Sequence, residues 1–114
     1  MAPSSWASGS DVRARNAKVL AAFRRDLLSS GLSPKTTDEH VGTIGTLAES
    51  YLLAQDPPRG LLELSPSDLR HYLGTAGKMA NRVSFKRFVR FLSSTGRLDY
   101  ARATELSEFL KHAM

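Results

Sequence analysis

Cysteine is absent from the chain, which excludes disulfides, thiolate nucleophiles and cysteine-ligated zinc together. Histidine is scarce: His40, His71 and His112 show neither i,i+4 nor HxxxH spacing, so no metal site is expected. The signatures of common catalytic and nucleotide-binding loops are also missing. There is no G-x-S-x-G elbow, S-x-x-K, P-loop or G-x-G-x-x-G, so neither catalysis nor a cofactor is expected. Glu105 and Glu108 stand one turn apart without companion carboxylates and read as surface residues. Apolar runs are only a few residues long, too short to cross a bilayer. Residues 1–10 carry no apolar stretch behind a basic one, so no secretory signal is expected and the cytoplasm is the default location. Strand-like alternation and internal repeats are lacking as well.

What is present is positive charge. The 114 residues, of which 41% are hydrophobic, carry a formal net charge of +5. That length suits one domain with a real core, and the charge points to a polyanionic partner, nucleic acid before membrane.

The pattern predicts an all-α, compact four- to five-helix bundle. Residues 1–10, rich in Ser, Ala, Gly and Pro, read as a flexible arm with Trp6 as its one anchor. A first helix is expected from Asp11 to Ser30, with Ser10 as N-cap, Val12, Val19, Leu20, Phe23, Leu27 and Leu28 as its apolar stripe, and Gly31 closing it. Ser33-Pro34 opens a second helix, with a stripe through Val41, Ile44, Leu47, Ala48, Tyr51 and Leu52. Gly42 and Gly45 interrupt it, each at a cost of about 1 kcal/mol relative to Ala, which suggests close approach of another helix or of a DNA backbone. Ser65-Pro66-Ser67-Asp68 forms a capping box with Asp in place of Glu, and Leu64 can staple onto Leu69. The short third helix buries Leu69, Tyr72 and Leu73 and ends in a turn from Gly74 to Gly77. A fourth helix is expected over Lys78–Thr95, closed by Gly96, with Phe85, Phe88, Val89 and Leu92 inward and Phe91 free to pack on a fifth segment. That segment runs from Tyr100 to Ala113 and carries Leu106, Phe109 and Leu110.

The fourth helix bears the functional signal. Lys78, Arg82, Lys86 and Arg90 recur every four residues and form a ridge, with Arg87 beside it. Between Leu69 and Leu98 there is no Asp or Glu at all. A helix needing only solubility would interleave acids to gain i,i+4 pairs; here the like charges repel, and phosphates are the natural missing counter-charge. Asn81 and Ser84 add groups able to hydrogen-bond phosphates or base edges. The start of the second helix offers Ser33, Lys35, Thr36, Thr37 and His40 around free backbone N–H groups. Arg13, Arg15, Lys18, Arg24 and Arg25 add charge on the first helix. The bland alternative is a solvated cationic face.

Taken in order, several segments resemble one family. Leu27-Leu28-Ser29-Ser30-Gly31-Leu32-Ser33-Pro34-Lys35-Thr36-Thr37, then Leu47 to Leu52, then Leu64 to Leu73, and finally Lys86-Arg87-Phe88-Val89-Arg90-Phe91-Leu92 with Ser94-Thr95-Gly96-Arg97-Leu98, are similar to the core-binding domain of tyrosine recombinases and phage integrases. The likeness spans about residues 15 to 99. Many members carry Arg near the position of Ala80 and Ser near that of Val83; here the basic groups stand at Lys78 and Arg82. The resemblance implies a SAM-like domain over residues 11–98, followed by a helix at 99–114 leading toward a catalytic domain that this chain lacks. It implies that the module clamps double-stranded DNA for site-specific recombination without catalysing it, alongside the catalytic domain and other recombinase protomers. By position, Ser33, Lys35, Thr36, Thr37 and His40 would form one contact edge, and Lys78, Asn81, Arg82, Lys86, Arg87 and Arg90 the other. The competing expectation is a helical oligomerisation module, in which Leu106, Phe109 and Leu110 dock on a neighbouring subunit.

Overall fold

A computed structural model describes residues 9–76 and 82–112. The described residues form an all-α bundle: α1 (Gly9–Ser29), α2 (Pro34–Leu47), α3 (Pro66–Ala76), α4 (Arg82–Ser94) and α5 (Tyr100–His112). A π-turn over Ala48–Leu52 prolongs α2, and a 3₁₀ turn over Leu61–Glu63 precedes α3. No strand occurs among these residues.

The helix ends follow local chemistry. At the α1 C-terminus Gly31 takes φ +100°; its N–H donates to Leu28 O, and that of Leu32 donates to Leu27 O. Gly96 repeats this after α4 with φ +72°, its N–H donating to Ser93 O and that of Arg97 to Leu92 O. Both are Schellman closures, which need a left-handed residue that only glycine adopts cheaply. Ser33 caps α2, accepting from Thr36 N at 3.2 Å. The Asp-for-Glu capping box also forms: Ser65 N donates to Asp68 Oδ2 at 2.9 Å, and Asp68 N donates to Ser65 Oγ at 3.3 Å. Asp68, 2% exposed, pairs in addition with Arg59. Burial, and after it the Asp68 charge, push the nearby Tyr51 phenol upward. Asp99 caps α5 through Arg102 N at 2.7 Å.

One core joins all five helices. Phe23 of α1 meets Phe88 of α4 edge-on, with centroids 5.1 Å apart. Around them lie Ile44 and Leu47 of α2, Leu69 and Leu73 of α3, and Leu106 and Leu110 of α5. Leu64 and Leu69, the expected staple, are both fully buried.

Several expectations need correction. Helix α1 already includes Ser10, which is therefore not its cap; residues 1–8, with Trp6, lie outside the described residues. Helix α3 runs through Gly74 to Ala76 instead of turning there, because a helical glycine costs only about 1 kcal/mol and Leu69 and Leu73 hold this helix to the core. A Cβ at Gly42 would meet open space, and one at Gly45 would meet Leu20 Cδ1 at an ordinary 3.7 Å, so neither glycine is required by close packing within the chain. Phe91 packs on α1: it lies 5.3 Å from the Phe23 ring, with the Arg97 guanidinium over its face at 4.9 Å. Phe91 thereby widens the buried stripe of α4 beyond the expected four residues.

Candidate nucleic-acid interface

Helix α4 is divided by its own periodicity. Ser84, Phe85, Phe88, Val89, Phe91 and Leu92 are buried, leaving Lys86 and Arg90 exposed one turn apart. Arg82 and Arg87 are half-buried on the shoulders of that face. Five buried apolar side chains anchor the helix, so the exposed cations stand on a rigid support.

The three ion pairs among the described residues lie elsewhere: Arg13 with Glu49, Arg24 with Asp38 and Arg59 with Asp68. Hence none reaches Arg82, Lys86, Arg87 or Arg90. The Nε–H groups of Arg82 and Arg87 are buried without a hydrogen-bond partner, so both guanidinium groups keep unused donor capacity. On α1, by contrast, Arg13 and Arg24 are already neutralised, the first through a 3.0 Å contact that ties α1 to the π-turn. That contact, a hydrogen bond reinforced by charge, raises the Arg13 pKa further.

Clefts flank the cationic ridge. Asp26, Leu27, Ser30, Arg87, Arg90, Phe91 and Ser94 line the first, on the α1 side. This cleft brings the α1–α2 junction, just ahead of Ser33, beside the α4 cations. Asp26 is its one acid among the described residues, and it makes no ion pair with Arg87 or Arg90. A shallow depression among Val83, Lys86, Arg87 and Arg90 continues the same surface. A cleft of about 430 Å³ opens on the other side, between α4 and α5.

The expected site residues therefore separate into groups. Lys86, Arg87 and Arg90 share one surface. Ser33, Lys35 and Thr36 are exposed at the α2 N-terminus, where the Ser33 hydroxyl donates to Thr36 Oγ1 at 3.1 Å. Thr37 and His40 do not join them: they are 0% and 6% exposed. His40 lies on the inner side of α2, with Nδ1 2.6 Å from Ser84 Oγ in a buried hydrogen bond between α2 and α4. Burial, and after it the Arg87 charge, lower the His40 pKa, with Glu39 opposing. Ser84, read from sequence as a phosphate or base contact, is committed to this interior pair. Lys78 and Asn81 lie outside the described residues.

Sequence reasoning missed the serines and the lysine that line the α4–α5 cleft, Ser93, Ser94, Ser107 and Lys111. The i,i+4 spacing of Ser107 and Lys111 was the available signal. The apolar residues of α5 also prove different from expectation. Leu106 and Leu110 are fully buried in the chain's own core and Phe109 is partly buried against it, so the face assigned to a neighbouring subunit is occupied internally.

No ligating cluster of three or more His, Asp or Glu occurs among the described residues, and none of the described helices is long and apolar enough to cross a membrane. No protein-family model matches this chain, and no curated protein or solved structure is significantly similar to it.

Proposed function

We propose that this chain is a duplex DNA-binding module of the kind that forms the non-catalytic clamp of tyrosine recombinases. It grips the phosphate backbone through α4. The observation that carries the reading is the cationic group Lys86, Arg87 and Arg90, without an ion pair among the described residues and held on a helix whose opposite face is locked in the core. Cations kept free of internal carboxylates at this density repel one another, and a lattice of phosphates removes that cost on binding while releasing condensed counterions. The exposed N-terminus of α2, where Lys35 stands at the positive end of the helix dipole, gives a second phosphate-directed edge. In this reading the module positions DNA, and strand cleavage belongs to a catalytic domain that acts with it. The order of sequence motifs supports the recombinase assignment, and so does the sequence of five helices that those motifs open and close.

The affinity is mainly electrostatic and weakly dependent on sequence, with Kd of about 10⁻⁴–10⁻⁶ M at physiological salt, the range of non-specific duplex binding. Fluorescence anisotropy of a labelled duplex at two salt concentrations tests this. Equal affinities at both would overturn the assignment.

A further inference from the structure

The cleft between α4 and α5 is a second structured part of the cationic surface, and the α4 ridge alone does not account for it. Lys86 and Arg90 form its α4 wall with Ser93 and Ser94, and Ser107 and Lys111 form its α5 wall over a floor at Leu110. No acid lines it. Three cations from two helices therefore converge on a space of about 430 Å³ without an ion pair among the described residues. The hydroxyls fit the same chemistry. Ser94 Oγ donates to Phe91 O at 3.3 Å, whereas Ser93 and Ser107 have no hydrogen bond to another described residue and keep free donors. An apolar floor lowers the local dielectric and strengthens attraction to an anion placed above it.

We infer that this cleft is a phosphate-binding site whose occupant is a backbone phosphodiester of duplex DNA, held by Lys86, Arg90 and Lys111 with Ser107 as hydroxyl donor. The inference rests on the DNA-binding reading above and extends the footprint onto α5, across a helix whose buried face is Ala103, Leu106 and Leu110. Arg90 then lines both this cleft and the one on the α1 side of α4. Lys111 and Ser107 are exposed, so replacing them leaves the core intact.

The test uses the whole chain labelled with ¹⁵N. Amide shifts are followed on addition of a mixed-sequence duplex and, separately, of inorganic pyrophosphate; anisotropy then compares the chain with Lys111→Gln and with Ser107→Ala. The expected result is that duplex moves the amides of Ser107 and Lys111 together with those of Lys86 and Arg90, and that pyrophosphate moves the cleft amides. Lys111→Gln should lower the slope of log K against log salt by about 0.9, the value of one phosphate contact. Duplex shifts on α4 with α5 silent, and an unchanged slope in Lys111→Gln, overturn the inference and leave the DNA-binding reading standing. Pyrophosphate shifts in the cleft without any response to duplex overturn the DNA reading and identify a site for free phosphate. Silence toward both probes overturns both.

Discussion

Replacing Lys86, Arg87 and Arg90 together by Gln is the sharpest perturbation the surface offers. These side chains share one face of α4 and have no internal counter-ion among the described residues, so each is available to a phosphate. One phosphate contact contributes about 0.9 to the slope of log K against log salt, and three contribute about 2.7. Between 50 and 200 mM salt, that difference amounts to roughly a 40-fold loss of affinity that the parent chain suffers and the variant escapes. A single Lys86→Gln change should remove only about 3.5-fold of that salt sensitivity. Anisotropy titrations at four or five salt concentrations measure the slopes directly. Fold integrity is checked by thermal melting: Lys86 and Arg90 are exposed and should each shift stability by less than about 0.5 kcal/mol, while the half-buried stem of Arg87 makes it the one position of the three where packing contributes. The control is an equal loss of charge at Arg15, Lys18 and Arg25, all exposed on α1. If that variant flattens the salt dependence as much as the α4 variant does, net charge and not the α4 surface drives binding, and the assignment of the interface is refuted.

The interior makes two further predictions. His40 has a folded pKa below its unfolded value near 6.5, so the unfolded chain takes up the proton more readily. The contribution of neutral His40 is thus complete above about pH 6.5 and is lost as pH falls, at no more than about 1.4 kcal/mol per pH unit. Urea midpoints at pH 7.5 and pH 5.0 should differ more for the parent than for His40→Gln, and equal differences would remove His40 from the cause. Asp68→Ala should destabilise by about 2–3 kcal/mol, since it deletes a cap and leaves Arg59 unpaired; the value sits below that of a fully buried pair because Arg59 is partly exposed. A midpoint shift under about 0.5 kcal/mol would show that Arg59 finds full compensation in water.

Much of the fold was legible in the sequence because its punctuation is local. Gly31, Gly96, Ser33-Pro34 and the Ser65–Asp68 box each act within a few residues, and each closes or opens a helix where the spacing indicated. The registers of Phe85, Phe88, Val89 and Leu92 likewise identified the inner face of α4, and with it the outer position of Lys86 and Arg90. What stayed hidden depends on partners distant in the chain. Gly74 passed for a turn because its tolerance rests on neighbours that tie α3 to the core. The contact of Phe91 with the Phe23 ring stayed hidden because only the assembled bundle brings the two together.

The candidate site shows the same division more sharply, at the start of α2. Ser33, Lys35, Thr36, Thr37 and His40 look equivalent as a polar run, and a helix N-terminus invites all of them toward an anion. Helical geometry does not permit that: the axis that turns Lys35 and Thr36 outward turns Thr37 and His40 inward. A buried imidazole then needs a hydrogen-bonding partner, and Ser84, 44 residues away, supplies it. The pair removes two polar residues from the candidate surface, yet it also fixes α2 against α4 where Arg87 leaves the core. The His40–Ser84 bond is thus a positioning element for the cationic face: if Ser84→Ala loosens the packing of α2 on α4, DNA affinity should fall even though Ser84 never meets a phosphate.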